Sequence, residues 1–159
     1  MESTSPPKQI LFYGKQDPFY QFSNFYSAPI SIDSKIWPTT EHYFQAMKFP
    51  DVPEFQEKVR LETAPSIAKK MVTERVGRRG DWDDVKIGVM HKCCKEKFLQ
   101  HPDLKKVLLS TGDAELIEHT KNDKIRADGG DGTGRNELGK VLMAIRKEIV
   151  EMENVQNKK

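Results

Sequence analysis

Cysteine is nearly absent from this chain, and the two it has, Cys93 and Cys94, are adjacent. Adjacent cysteines neither build a disulfide framework nor supply the spaced ligand pairs of a structural zinc site. Such usage suits a reducing compartment. No apolar run approaches the length that spans a bilayer. The opening Met-Glu-Ser-Thr-Ser-Pro-Pro-Lys lacks the apolar centre of a secretory signal. An excess of one charge is missing too. The 26 basic residues face 24 acidic ones, and a net charge of +2 is too near neutral to argue a nucleic-acid binder from electrostatics alone. The four histidines are scattered and no His-Glu-x-x-His occurs, so neither a metal nor a cofactor is expected. Gly-x-Ser-x-Gly is absent, which removes support for a serine hydrolase. These absences lead us to expect a soluble cytoplasmic protein, or a nuclear one in a eukaryote, with no membrane partner.

The length of 159 residues suits one domain with a single core. Residues 1–8 read as a disordered, Pro-rich tail, 9–152 as the folded domain and 153–159 as a frayed C-terminal tail. Strands are expected at Ile10–Tyr13 and Pro29–Ile32, with the Asp33-Ser34-Lys35 turn leading into Ile36-Trp37. These pieces would form a small antiparallel sheet. Helices follow: one after Thr39, one capped by Asp51, one opened by Pro65, a long one from Asp81 to Leu99 and a short one from Pro102. Leu116–Thr120 reads as a strand. Leu138, Val141, Leu142, Ile145 and Ile149 give the last helix, from near Asn136, a clear amphipathic face.

The most informative stretch is Trp37-Pro-Thr-Thr-Glu-His-Tyr-Phe-Gln-Ala-Met-Lys48. Thr39 is a suitable N-cap. Glu41, Gln45 and Lys48, at i, i+4 and i+7, form one polar stripe on a helix with an otherwise bulky apolar surface. Facing water, the stripe is an ordinary solvated edge with a weak ion pair. Facing inward, it is a row of costly polar groups that calls for a function.

The second informative stretch is Asp128-Gly-Gly-Asp-Gly-Thr-Gly134, just ahead of the last helix. Glycine lets backbone approach a ligand, and a helix start offers free N–H groups, so the pair suits a phosphate. The spacing matches neither a dinucleotide fingerprint nor a P-loop, and a plain flexible loop is the competing reading. Arg135 beside it favours an anion. In Phe22-Ser-Asn-Phe-Tyr26, rings flank the short polar Ser23 and Asn24. They either cap a core or hold a base or sugar. Trp82 is either a core anchor or a stacking plate. Asp123 and Asp128 are either acid/base groups or turn residues.

Taken together, these segments resemble the NADAR (YbiA-like) family. The resemblance rests on Phe22-Ser-Asn-Phe25, Trp37 to Phe49, Gly77-Arg78 leading to Trp82, Leu116 to Asp123, Asp128 to Lys140 and Leu142-Met-Ala-Ile-Arg146, in that order. It implies a helix-rich α+β domain acting on N-glycosidic bonds of ribose. The implied substrate is ADP-ribose on guanine in nucleic acid. The alternatives are a riboside 5'-phosphate intermediate of riboflavin biosynthesis, or an ADP-ribose-like small molecule bound without cleavage. An ADP-ribosyltransferase would be the natural counterpart. By motif, the implied functional residues are Glu41, Trp82 and Asp123, with Lys48 a further candidate and Lys35 the runner-up amine. The implied substrate-binding set is Ser23, Asn24, Phe25, His42, Arg78, Trp82, Asp128, Gly129, Gly130, Gly132, Thr133, Gly134, Arg135 and Asn136. One departure stands out: Arg126-Ala127 occupies the place of the family's usual Trp-Gly, which exchanges an aromatic plate for a cation and would favour more phosphate.

Glu41 would stabilise positive charge on the sugar as the nitrogen leaves, or activate water. A lysine amine could instead form a Schiff base with the opened ribose. That route needs a neutral amine, and an ionised Glu41 near Lys48 opposes it.

Overall fold

The computed structural model describes residues 8–158. The polar tail expected at the N-terminus lies outside them, except for Lys8. The described residues form an α+β fold of four short strands and six α-helices. Its elements fall into two compact units. One comprises residues up to Ser23 together with those from Lys105 onward; the other is Asn24–Leu104. None of the described helices is long and apolar enough to cross a membrane.

In the first unit, β1 (Gln9–Phe12) pairs with β4 (Glu115–Glu118) in parallel, Gln9 opposite Glu115 and Phe12 opposite Glu118. Alternation sends Ile10, Phe12 and Leu116 into the core while Gln9, Leu11 and Glu115 stay outside. The N-terminal strand therefore does not join the small antiparallel sheet expected for it: it finds its partner more than a hundred residues away, a pairing no local turn signal encodes. The long helix α6 (Glu137–Asn157) packs against β4 and buries Leu138, Val141, Leu142, Ile145 and Ile149, the face read from the sequence. It continues through the segment expected to fray, where residues such as Val155 are exposed. Arg146 lies on its buried side and donates to Thr111 Oγ1 at 2.9 Å.

The second unit begins at Asn24, within the aromatic segment and just after one 3₁₀ turn at Tyr20–Phe22. Strands β2 (Ile30–Ile32) and β3 (Lys35–Trp37) form an antiparallel hairpin. Its two turn residues, Asp33 and Ser34, both take positive φ, 52° and 67°, as a two-residue hairpin of right-handed twist requires. Helix α1 (Thr40–Ala46) follows, then α2 (Pro53–Arg60), α3 (Pro65–Thr73) and α4 (Trp82–Gln100), with α5 (Pro102–Ser110) running on into the first unit. Proline opens α2 and α3 as expected. The N-cap of α2 is Val52, not Asp51, and no side-chain cap bond forms there. Helices α2, α3 and α4 all pack on α1, which buries all seven of its residues.

Candidate active site

Helix α1 starts where its sequence says it should. Thr39 is extended at φ −144°, and its hydroxyl accepts the His42 N–H at 3.1 Å. The Glu41 N–H is taken by the Asn24 carbonyl at 3.2 Å. The helix ends at Ala46, so Lys48 lies past the C-cap and the expected three-residue stripe is cut to two. Those two face inward. Glu41 is 0% exposed and Gln45 2%. Gln45 Nε2 donates to Glu41 Oε1 at 2.7 Å, while Gln45 Oε1 has no hydrogen-bond partner among the described residues.

Asn24 completes this buried group. Its Oδ1 accepts from the Thr40 hydroxyl at 2.8 Å and from the Cys94 thiol at 3.3 Å. Its Nδ2 is buried and unpartnered among the described residues. Buried polar atoms are nearly always hydrogen-bonded in native proteins. Four side-chain atoms here are not, and two of them belong to the Asn24–Glu41–Gln45 cluster, beside a sealed carboxyl. One donor and one acceptor are thus available to a polar partner such as a sugar hydroxyl. The other two are Gln21 Oε1 and Trp37 Nε1.

The remaining residues singled out in this unit have structural partners. His42 is 0% exposed: Nδ1 meets the Thr39 hydroxyl at 2.8 Å and Nε2 meets the Glu62 carbonyl at 2.8 Å. Burial pushes the imidazole below its usual range and outweighs the Glu62 bond and the nearby Glu41 and Glu62 charges. The ring is a neutral brace. Trp82 is 3% exposed and meets Phe44 edge-on at 5.0 Å, with Lys48 Nζ 5.7 Å from its ring centroid. This is the position of a core anchor. Arg78 is exposed and 3.8 Å from Asp83; Lys35 is exposed and 3.8 Å from Glu57. Ser23, the last residue of the first unit, is buried, while Phe25 is half-buried.

The sequence reading passed over Lys97. It is 1% exposed, and burial pushes its ammonium down to about 8 despite the opposing influence of Cys94 and Cys93. The signal was available: Met90, Cys93, Cys94, Lys97 and Phe98 form one helical stripe, and only one of them is charged. Glu118 in β4 is also buried, at 9% exposed.

In the first unit the glycine loop is braced rather than flexible. Asp128 Oδ1 accepts from Gly130 N at 2.8 Å and Thr120 N at 3.2 Å, and Oδ2 meets His119 Nδ1 at 2.7 Å. Burial alone would raise its pKa; the bonds from His119, Gly130 and Thr120 hold it below the usual carboxylate value. Asp123 Oδ1 accepts from Ile125 N and Arg126 N, both at 2.8 Å, with Arg126 Nε 3.5 Å from Oδ2. Asp123 thus performs the turn role weighed for it. Burial acts upward on it too, and these bonds and the Arg126 charge bring it down.

The expected free amides at the start of α6 are not there. Arg135, Asn136, Glu137 and Leu138 donate their N–H groups to the carbonyls of Lys124, Ala127, Ile125 and Arg126, at 2.7–3.0 Å. The glycines have steric reasons. A Cβ on Gly134 would sit 2.5 Å from the Ala127 oxygen, and one on Gly139 would overlap the Leu116 oxygen. Asn136, at φ 49°, donates to Leu116 O at 2.9 Å and accepts from Glu118 N at 3.0 Å. Thr133 donates to Asp131. What the loop does border is an open cleft of about 500 Å³. Leu11, Ile117 and Met143 are among its lining, together with His119, Arg135 and Lys140. Gly129 is not part of that lining, whereas Gly130, Gly132, Gly134 and Asn136 are. No cluster of three metal-ligating side chains occurs among the described residues.

The NADAR domain model matches residues 11–150, nearly the whole described chain. This protein belongs to the NADAR family. It is 45% identical over 141 residues to N-glycosidase YbiA of Escherichia coli K12, covering 88% of each chain. It is 37% identical over 146 residues to N-glycosidase Npun_R5314 of Nostoc punctiforme, covering 88% of this chain and 92% of the relative. It is 44% identical over 143 residues to riboflavin biosynthesis protein VVA0006 of Vibrio vulnificus, covering 89% of this chain and 39% of that longer protein. The NMR structure of E. coli YbiA superposes with a TM-score of 0.86 at 42% identity, over 94% of this chain and 89% of that one. The helix-rich NADAR fold expected from the sequence motifs is therefore the fold observed.

Proposed function

We propose that this NADAR protein is an N-glycosidase that hydrolyses the bond between a ribose anomeric carbon and a nitrogen, and that its substrate is ADP-ribose carried on guanine in nucleic acid. The observation that carries the reading is the sealed Glu41 carboxyl, with one oxygen bonded to Gln45 and with the unpartnered Gln45 Oε1 and Asn24 Nδ2 in the same buried group. Loss of the nitrogen leaves positive charge on the sugar, and a carboxylate shielded from water stabilises that charge far better than an exposed one. The free amide atoms suit ribose hydroxyls, whose hydrogen bonds would orient the ring. Relatives named N-glycosidases support the reaction class.

Cleavage of a riboside 5'-phosphate is the second reading, favoured by the Vibrio relative that is named a riboflavin biosynthesis protein. The deciding experiment is mass spectrometry of an oligonucleotide bearing ADP-ribose on one guanine, with wild type and Glu41→Gln. Release by the wild type alone supports the reading. Equal release by both keeps the activity and removes Glu41 from the chemistry. Release from a free riboside phosphate but not from the oligonucleotide selects the second reading, and binding of ADP-ribose with no release from either marks a binding module.

A further inference from the structure

The cleft of about 500 Å³ beside the glycine loop changes polarity along its length, and all of its lining belongs to the first unit. Its floor is the outward face of the β1–β4 pair, because alternation turns every second residue of each strand that way. The parallel register sets Gln9 opposite Glu115 and Leu11 opposite Ile117, and His119 follows two residues on. At ~3.3 Å per residue, Glu115 to His119 gives about 13 Å of floor. Helix α6 forms the flank. Asn136 bonds Leu116 O and Glu118 N, and a Cβ on Gly139 would meet Leu116 O. The helix thus runs back along β4, with its start toward the His119 end.

The Gln9–Glu115 end offers acceptors. Gln9 Nε2 donates to Glu115 Oε2 at 3.2 Å, which leaves Gln9 Oε1 and Glu115 Oε1 without a partner among the described residues. The middle is apolar: Leu11, 47% exposed, and the half-buried Ile117, with the half-buried Met143 of α6 beside them. The His119 end offers donors. Lys140 is exposed and makes no hydrogen bond or ion pair through its ammonium among the described residues. A lysine side chain leans toward the start of its helix, here toward Arg135. Arg135 spends Nε on Glu137 at 3.1 Å and keeps both Nη groups unbonded among the described residues. The carboxylates at this end already hold donors of their own. Asp128 takes His119, Gly130 and Thr120, and Asp131 takes both donors of Thr133.

We propose that this cleft binds a nucleoside 5'-phosphate whose base carries an exocyclic amine. Acceptors, an apolar plate and donors follow one another along the floor, and such a nucleotide presents their complements in the same order. The amine meets Gln9 Oε1 and Glu115 Oε1. The flat ring covers Leu11, Ile117 and the Met143 thioether. The phosphate takes the Lys140 ammonium and the Arg135 fork. A fatty acid would leave the acceptors unmet, and a bare sugar phosphate would leave the apolar floor wet. The proposal goes beyond the N-glycosidase reading and needs only the first unit.

The test titrates the full chain with adenosine 5'-phosphate, inosine 5'-phosphate and ribose 5-phosphate by calorimetry, with backbone amide NMR shifts followed in parallel. Adenosine 5'-phosphate should bind about tenfold or more tighter than ribose 5-phosphate, which lacks the base. It should bind about fivefold or more tighter than inosine 5'-phosphate, whose carbonyl replaces the amine and faces the two acceptors. Leu11→Ser, at an exposed position, should weaken the adenosine nucleotide about fivefold and leave ribose 5-phosphate within about twofold. Lys140→Ala should weaken both by the same factor. The shifts should centre on Gln9–Phe12 and Glu115–Glu118. Equal binding of the three compounds overturns the proposal, as does nucleotide binding that neither substitution moves, or none at millimolar nucleotide. If Leu11→Ser fails to fold, the three wild-type affinities and the shift map decide. These readouts contain no turnover, so loss of the N-glycosidase reading leaves them standing, and a failed titration leaves that reading untouched.

Discussion

Gln45 donates to Glu41 across one turn of α1 at 2.7 Å, with both side chains closed off from solvent. The amide fixes one carboxyl oxygen and leaves its own oxygen unused. Gln45→Leu should therefore release Glu41 from its set position with little loss of packing. A fall of about 10-fold to 100-fold in kcat is expected, with Glu41→Gln losing about 100-fold to 1000-fold, the range typical when a charge-stabilising group is removed. Steady-state kinetics of the two variants on an N-riboside check the order. A larger loss in Gln45→Leu than in Glu41→Gln would sink the assignment.

His42 makes stability depend on pH. Its folded pKa lies below the 6.5 of a free imidazole because burial disfavours the charged ring. The folded state therefore binds fewer protons than the unfolded state in this window. The stability from the neutral ring is fully present above about pH 6.5 and is lost as pH falls through the lower folded value. Melting temperatures from pH 7.5 to 5 should drop more steeply for the wild type than for His42→Gln. The variant itself should be less stable by about 1–3 kcal/mol at pH 7.5, having disturbed two buried hydrogen bonds.

Glycine substitutions separate space from conformation. Gly88 lies in α4 with nothing near a prospective Cβ, so Gly88→Ala should stabilise the protein by about 0.5–1 kcal/mol. Gly132 also has open space but φ +86°, and alanine there should cost about 1–2 kcal/mol. Gly139→Ala would drive its methyl into the Leu116 carbonyl and should cost about 3 kcal/mol or more. Urea unfolding of the three variants gives the ranking. A neutral Gly139→Ala would contradict the close packing of α6 on β4.

The cleft beside the glycine loop makes a separate prediction. Lys140 and Arg135 line it, and the backbone amides of both, like those of Asn136, Glu137 and Leu138, are already bonded to carbonyls. Lys140→Glu combined with Arg135→Glu should weaken binding of ribose 5-phosphate at least 10-fold by calorimetry. The same pair in 1 M salt should differ much less from wild type, since exposed charges are screened there. Unchanged affinity at low salt would place the phosphate elsewhere.

Sequence patterns exposed the parts of this protein that are local. The Thr39 cap, the Pro65 helix start and the α6 stripe each follow from residues within two turns of one another, and each stands where it was expected. The parallel β1–β4 pair was not legible, because its partners are a hundred residues apart and neither strand carries a signal for the other. For the site, the pattern placed Glu41 and Gln45 on one face but left its direction open; only the packing of three helices around α1 turns that face inward. The glycine loop misled on one point. Its glycines looked like a phosphate cradle, whereas Gly130 and Gly134 are needed because backbone passes within contact distance of where a side chain would stand. Lys97 is not legible from periodicity, because a lysine on an apolar stripe reads equally as a stem that reaches out to water; only the packing around α4 shows it sealed.

Asn136 has a consequence beyond capping α6. Its side-chain amide offers one donor and one acceptor, the same pair that a peptide unit of a neighbouring strand would present, and it spends both on Leu116 and Glu118 along one margin of β4. A margin left bare invites another chain to add itself in register, the usual first step toward edge-to-edge aggregates. Here one asparagine takes the place of one peptide unit of such a chain, so the residue that opens α6 also closes part of the β4 margin.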